Sequence, residues 1–127
     1  MATTTKQLCA VRRDVLGHVG GKWSSLVLTL LDASPRRYSE IHRSSQINQR
    51  MLTLTLHQLE RDGLVARSAT NADYELTVAG RSLVKLINEL IFWTDRHHDY
   101  IVGSRDRHAA AATSASAMPA GRDSSAM

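Results

Sequence analysis

Asn48-Gln49-Arg50-Met51-Leu52-Thr53-Leu54-Thr55-Leu56-His57-Gln58-Leu59-Glu60-Arg61-Asp62-Gly63 is the stretch whose reading decides the fold of this chain. Leu52, Leu56 and Leu59 recur at i, i+4 and i+7, the spacing that lines one face of an α-helix. Asn48 is suited to cap that helix by accepting from its free amides, and Gly63 after Asp62 supplies a left-handed stop. The opposite face carries Gln49, Arg50, Thr53, His57 and Arg61. A leucine-backed helix with hydrogen-bonding side chains crowded at its start is therefore expected at the middle of the chain.

Upstream, Val15, Leu16 and Val19 place apolar groups on one side of a short first helix that Gly20-Gly21 ends. A second helix is expected over 22–32, burying Trp23, Leu26, Val27, Leu30 and Leu31, with Ser34-Pro35 closing it because proline disfavours helix in the residue before it. Arg36-Arg37-Tyr38 reads as a short extended stretch. Ser39 then caps a brief helix through Arg43, with Ile41 as its buried contact, and 44–47 is a turn.

Downstream, 64–69 and 74–77 read as two short strands joined through 70–73. Thr77 can cap a final long helix in which Leu83, Leu86, Ile87, Leu90, Ile91 and Trp93 cover more apolar circumference than one small domain needs. The excess implies a homodimer through that helix, with burial against the first helix of the same chain as the competing account. The fold class expected is mainly α with a small β-hairpin wing: a winged helix-turn-helix with a long C-terminal dimerisation helix. Residues 1–8 read as a flexible arm, 9–102 as the domain, and 103–127 as a disordered Ala/Ser-rich tail in which the four alanines at 109–112 are at most transiently helical.

The chain has 127 residues, 43% of them hydrophobic, which suits one domain with a core. Lys+Arg of 16 against Asp+Glu of 12 gives a net charge of +4, so an anionic partner is plausible, although a GC-rich genome would give the same arginine bias. The longest strongly apolar run, 26–31, falls far short of the roughly 20 residues that span a bilayer. The first residues lack the apolar core of a secretory signal, so a cytoplasmic location is expected. A lone cysteine, Cys9, excludes an internal disulfide framework.

A recognition helix must expose hydrogen-bonding groups near its N-terminus, because that end enters the major groove of double-stranded DNA. Arg50 can donate twice to guanine, Gln49 can pair with adenine, and the Thr53 methyl can touch thymine. A merely solvated amphipathic face would look the same if the helix stood alone. Basic residues on both sides, Arg36, Arg37 and Arg43 before it and Arg67 after it, favour the DNA reading, because phosphate contacts fix the register of a reading helix.

Taken together, Gly20-Gly21-Lys22-Trp23, Pro35-Arg36-Arg37-Tyr38-Ser39-Glu40-Ile41, Asn48-Gln49-Arg50-Met51-Leu52-Thr53, Leu56, Leu59-Glu60, Asp62-Gly63-Leu64-Val65 and Tyr74, Leu76-Thr77 and Gly80 closely resemble the HxlR-type winged helix-turn-helix regulators, a MarR-like group. The match covers about residues 9–101. The resemblance implies dimeric repressors or activators that bind an inverted repeat, with Asn48, Gln49, Arg50 and Thr53 at the start of the recognition helix and Arg67 at the base of the wing. It also implies an N-terminal cysteine, matched by Cys9, that senses oxidants or electrophiles in some members. The sequence departs from the family at the wing, where a longer proline-containing loop is usual and only 68–73 bridges the strands. Asn71 is then the candidate for minor-groove contact. The full set of expected DNA-contact residues is Lys22, Arg36, Arg37, Asn48, Gln49, Arg50, Thr53, His57, Arg67 and Asn71.

Arg12 and Arg13 lie within about a turn of Cys9 and favour a thiolate there, while a small buried hydrophobe is the blander account. The histidines, at 18, 42, 57, 97, 98 and 108, lack metal-ligand spacing and read as surface or interface residues. No phosphate loop or nucleophile elbow is present, so neither catalysis nor a cofactor is expected. The alternative function is a winged-helix module whose basic face docks another protein. A small-molecule effector lined by Trp23, Phe92, Trp93 and Tyr100 is compatible with the regulator reading, and aromatic core packing would explain the same four residues.

Overall fold

A computed structural model describes residues 4–116. Seven elements follow in order: α1 (Thr5–Gly20), α2 (Ser24–Ala33), α3 (Tyr38–Ser45), α4 (Gln49–Arg61), β1 (Val65–Arg67), β2 (Tyr74–Leu76) and α5 (Val78–Ser116). This is the winged helix-turn-helix order, mainly helical with one small hairpin. Two units can be distinguished among the described residues, one up to Glu89 and one from Leu90 onward.

In the first unit, α2, α3 and α4 surround one core with the start of α5. Val27, Leu28, Ile41, Leu52, Leu56 and Leu59 are each at most 1% exposed. Burying a side chain of that size stabilises the fold by about 1.5–3 kcal/mol. The i, i+4, i+7 leucines of α4 thus face inward, and its hydrogen-bonding face is turned outward.

Helix α4 ends in a Schellman motif. Leu64 N–H donates to Leu59 O and Gly63 N–H to Glu60 O, both at 3.0 Å, while Gly63 takes φ +74°. The chain enters β1 at once, and β1 pairs antiparallel with β2 in the register Val65↔Leu76, Ala66↔Glu75, Arg67↔Tyr74. Arg36 exchanges backbone hydrogen bonds with Tyr74 at 3.0 and 2.8 Å, so the extended residue before α3 borders the wing. Thr77 Oγ1 accepts from Gly80 N–H at 3.0 Å, capping α5, and donates to Gly63 O at 2.6 Å. One hydroxyl thereby ties the start of α5 to the end of α4.

Several expectations are corrected. Thr5 to Leu8 are not a flexible arm but the first turn of α1: Thr4 Oγ1 accepts from Gln7 N–H at 3.1 Å and Gln7 Oε1 accepts from Thr4 N–H at 3.0 Å. This reciprocal capping box satisfies two otherwise free amides. Residues 103–116 of the expected tail continue α5 instead, because the alanines at 109–112 have the highest helix propensity and no proline interrupts them. Residues 117–127 lie outside the described residues. The strands are shorter than expected because 68–73 close on themselves, with Ser68 N–H donating to Asp73 O at 2.8 Å and Ala72 at φ 60°.

In the second unit, Leu90, Ile91, Phe92 and Trp93 are 45–61% exposed and Tyr100 is 69% exposed. Core packing therefore does not account for Phe92, Trp93 and Tyr100. Trp93 stacks on His97 with ring centroids 4.2 Å apart, and the Arg96 guanidinium lies 4.8 Å from the Phe92 ring centre. His18 also departs from expectation. It is buried, and its Nε2 lies 2.7 Å from Asp62 Oδ2.

Candidate nucleic-acid interface

The first turn of α4 is presented by its cap and by a tyrosine from the preceding helix. Asn48 Oδ1 accepts from Met51 N–H at 2.8 Å, which fixes where the helix begins. Asn48, Gln49, Arg50, Thr53 and His57 are all exposed, while Leu52 and Leu56 behind them are buried. Tyr38, at the start of α3, reaches across: its hydroxyl lies 3.0 Å from Gln49 O and 3.0 Å from Thr53 Oγ1. The two helices of the helix-turn-helix are locked together at the end that carries the candidate base-reading residues.

The wing is fastened by a second tyrosine. Tyr74 is buried, and its hydroxyl accepts a hydrogen bond from Arg67, whose guanidinium carbon lies 4.9 Å from the ring centre. That bond, donated to the Tyr74 hydroxyl, is the main reason the Arg67 guanidinium is held even more firmly protonated than usual. Arg67 therefore presents a positioned cation rather than a freely swinging one.

Two clefts meet at this clamp. One, of about 450 Å³, is lined by Arg37, Tyr38, Ser39, Arg67, Asn71 and Tyr74. The other, of about 260 Å³, is bounded by Tyr38, Thr53, His57, Glu60, Arg67 and Tyr74. The first combines two guanidiniums with a hydroxyl and an amide, a donor set that suits a phosphate. Arg37 Nε also stands 3.8 Å from Asp73 Oδ1, a buried oxygen without a hydrogen-bond partner among the described residues.

Of the residues singled out from sequence, Arg37, Thr53, His57, Arg67 and Asn71 are brought together around these clefts, with Asn48, Gln49 and Arg50 on the adjoining turn of α4. Two stand differently. Arg36 is partly buried and donates from Nε to Leu30 O at 3.2 Å, satisfying a carbonyl in the last turn of α2. Lys22 holds its ammonium 4.5 Å from the centre of the Trp23 ring. Asn71 Oδ1 accepts from Asp73 N–H at 3.2 Å, which stiffens the wing tip. Cys9 is exposed on α1.

The bonding roles of Tyr38 and Tyr74 are not legible in the sequence. Their partners lie 11, 15 and 7 residues away, so no local spacing announces the bonds.

The HxlR-like helix-turn-helix family model matches residues 18–101. An uncharacterized HTH-type transcriptional regulator of Methanothermobacter thermautotrophicus is 41% identical over 92 residues, covering 68% of this chain and 70% of its own length. The uncharacterized HTH-type regulator YkvN of Bacillus subtilis is 42% identical over 81 residues, 59% of this chain and 69% of its own. Among solved structures, quinone-bound YodB from B. subtilis is similar with a TM-score of 0.60 at 28% identity, covering 74% of this chain and 99% of that one. Among the described residues, no helix is long and apolar enough to cross a membrane.

Proposed function

The chain belongs to the HxlR-like helix-turn-helix family of transcriptional regulators, and from that premise we propose that it acts as a homodimeric repressor reading an inverted-repeat operator through the first turn of α4. The observation that carries the reading is the outward placement of Gln49, Arg50 and Thr53 on a helix whose other face is core, beside a wing that holds Arg67 in place. Base edges are read by such side chains, and phosphates by the flanking cations.

Two subunits joined through their terminal helices would set two reading helices about 34 Å apart, one turn of DNA. The exposed Leu90, Ile91, Phe92 and Trp93 of α5 supply apolar surface of the kind such a contact covers. Binding over a promoter then blocks polymerase.

Cys9 is the candidate point of control. Its thiol is exposed, and a solved relative carries a quinone. Addition of Cys9 Sγ to a quinone ring carbon, with the thiol proton passing to one ring oxygen and the hydrogen of the attacked carbon passing to the other as the ring rearomatises, gives a hydroquinone thioether without a further reactant. Mass spectrometry after quinone treatment checks this; an unmodified thiol and unchanged DNA affinity overturn it.

Selection of bound fragments from genomic DNA by the purified protein tests the central reading. A shared inverted repeat, lost or relaxed on Arg50→Ala, is the expected result. Indifference of every duplex to Arg50→Ala would instead favour a protein-docking role for the basic face.

A further inference from the structure

Tyr38 and Thr53 carry an inference about which base the protein rejects, and it rests on the operator-reading role proposed above. Tyr38 Oη stands 3.0 Å from Gln49 O and 3.0 Å from Thr53 Oγ1. A carbonyl oxygen can only accept, and a phenol has one proton, so that proton goes to Gln49 O. Tyr38 Oη can then only accept from Thr53, whose single hydroxyl proton is consumed in turn. The chain of bonds has one polarity, Thr53 to Tyr38 to Gln49.

We propose that Tyr38 is a specificity-determining residue that strips Thr53 of its donor, leaving Thr53 to offer the major groove only a lone pair and a methyl group. A lone pair meets the exocyclic amine of adenine or cytosine, and a methyl meets the methyl of thymine. Guanine presents two acceptors, N7 and O6, at the same edge. The base facing Thr53 is therefore preferentially adenine, cytosine or thymine, and guanine is disfavoured because no donor meets its two acceptors. Thr53 is exposed on the first turns of α4, where a base edge can reach it, while Tyr38 is half-buried and its ring lies parallel to His42 with centroids 6.2 Å apart. The stacked ring and the carbonyl together fix the hydroxyl from which the polarity follows.

The test is a base-preference profile, measured with a randomised half-site library for wild type, Tyr38→Phe, Thr53→Val and the double variant. Thr53→Val keeps the branched shape and the methyl but has no hydroxyl. Guanine should be disfavoured at one position by wild type. Tyr38→Phe frees the Thr53 proton, so guanine at that position alone should gain about 3- to 10-fold relative to the other bases, the worth of one hydrogen bond. In the Thr53→Val background, Tyr38→Phe should leave the profile unchanged. If Tyr38→Phe instead alters affinity for all sequences by one common factor, or shifts the profile equally with Val at position 53, Tyr38 acts only as a brace and the proposal is overturned. If wild type prefers no sequence and Arg50→Ala changes nothing, the operator-reading role itself fails and this proposal with it.

Discussion

His18 Nε2 lies 2.7 Å from Asp62 Oδ2, joining the last turn of α1 to the residue that ends α4. The His18 side chain is 7% exposed and that of Asp62 21%. Arg61, donating to Asp62 at 2.9 and 3.1 Å, is the largest cause that holds this carboxyl below its ordinary range; the His18 bond adds to it, and burial opposes both. A carboxylate with a depressed folded value contributes stability that is present above the unfolded value, about 3.9, and is lost as pH falls through the folded one. Asp62→Asn should therefore flatten the acid limb of the stability curve, measured as urea midpoints from pH 7 down to pH 3. An unchanged slope would show that Asp62 has no such role. His18→Ala, which leaves a partly buried carboxylate short of one partner, should cost about 1–3 kcal/mol.

Gly80 should tolerate no side chain. A Cβ built there would lie 2.1 Å from Leu64 O, which is backbone and cannot swing aside. Gly80→Ala is expected to destabilise by about 3 kcal/mol or more, whereas Gly63→Ala, strained only by its positive φ in open space, should cost about 1–2 kcal/mol. Thermal melts of the two variants rank them.

Losing Arg50 and losing Arg37 should weaken DNA binding in different ways. Arg50→Ala is expected to cost about 1–3 kcal/mol on the preferred operator and to relax selection at one base position. Arg37→Ala should weaken all duplexes alike and reduce the slope of log affinity against log salt by about 1. Arg36→Ala should instead register first in unfolding experiments, since its Nε serves Leu30 O within the fold. Fluorescence anisotropy at several salt concentrations separates the three.

Trp93→Asp should release the dimer proposed above. Trp93 is 45% exposed in the single chain, so its substitution should leave the winged domain folded while placing a charge in the proposed contact between copies. Sedimentation should show a monomer at micromolar concentration, the association weakened by about 2 kcal/mol or more. A wild-type chain that is already monomeric would remove the premise.

Much of the fold is legible in local pattern. The leucines of α4, the Asn48 cap and the Gly63 stop each act within one or two turns of helix, so their spacing carries the whole physical cause. The ends of the chain are less legible. Thr4 with Gln7 makes a capping box of only modest sequence specificity, and alanine-rich helix competes with disorder over a small free-energy difference. The candidate interface was legible as a set of residue types but not as an arrangement. Arg36 and Arg37 look alike in the sequence, yet one is turned to a helix carbonyl and the other lines a cleft.

What the sequence by itself determined was the periodic framework: which faces are apolar, where helices begin and stop, and that donors crowd the start of α4. Only the tertiary structure decided which of those donors keep their protons for a partner. Tyr38 meets Thr53 fifteen residues on, Tyr74 holds Arg67, and His18 meets Asp62 forty-four residues on. Hydrogen bonds act over about 3 Å, and chain separation says nothing about such a distance until the core has brought the helices together.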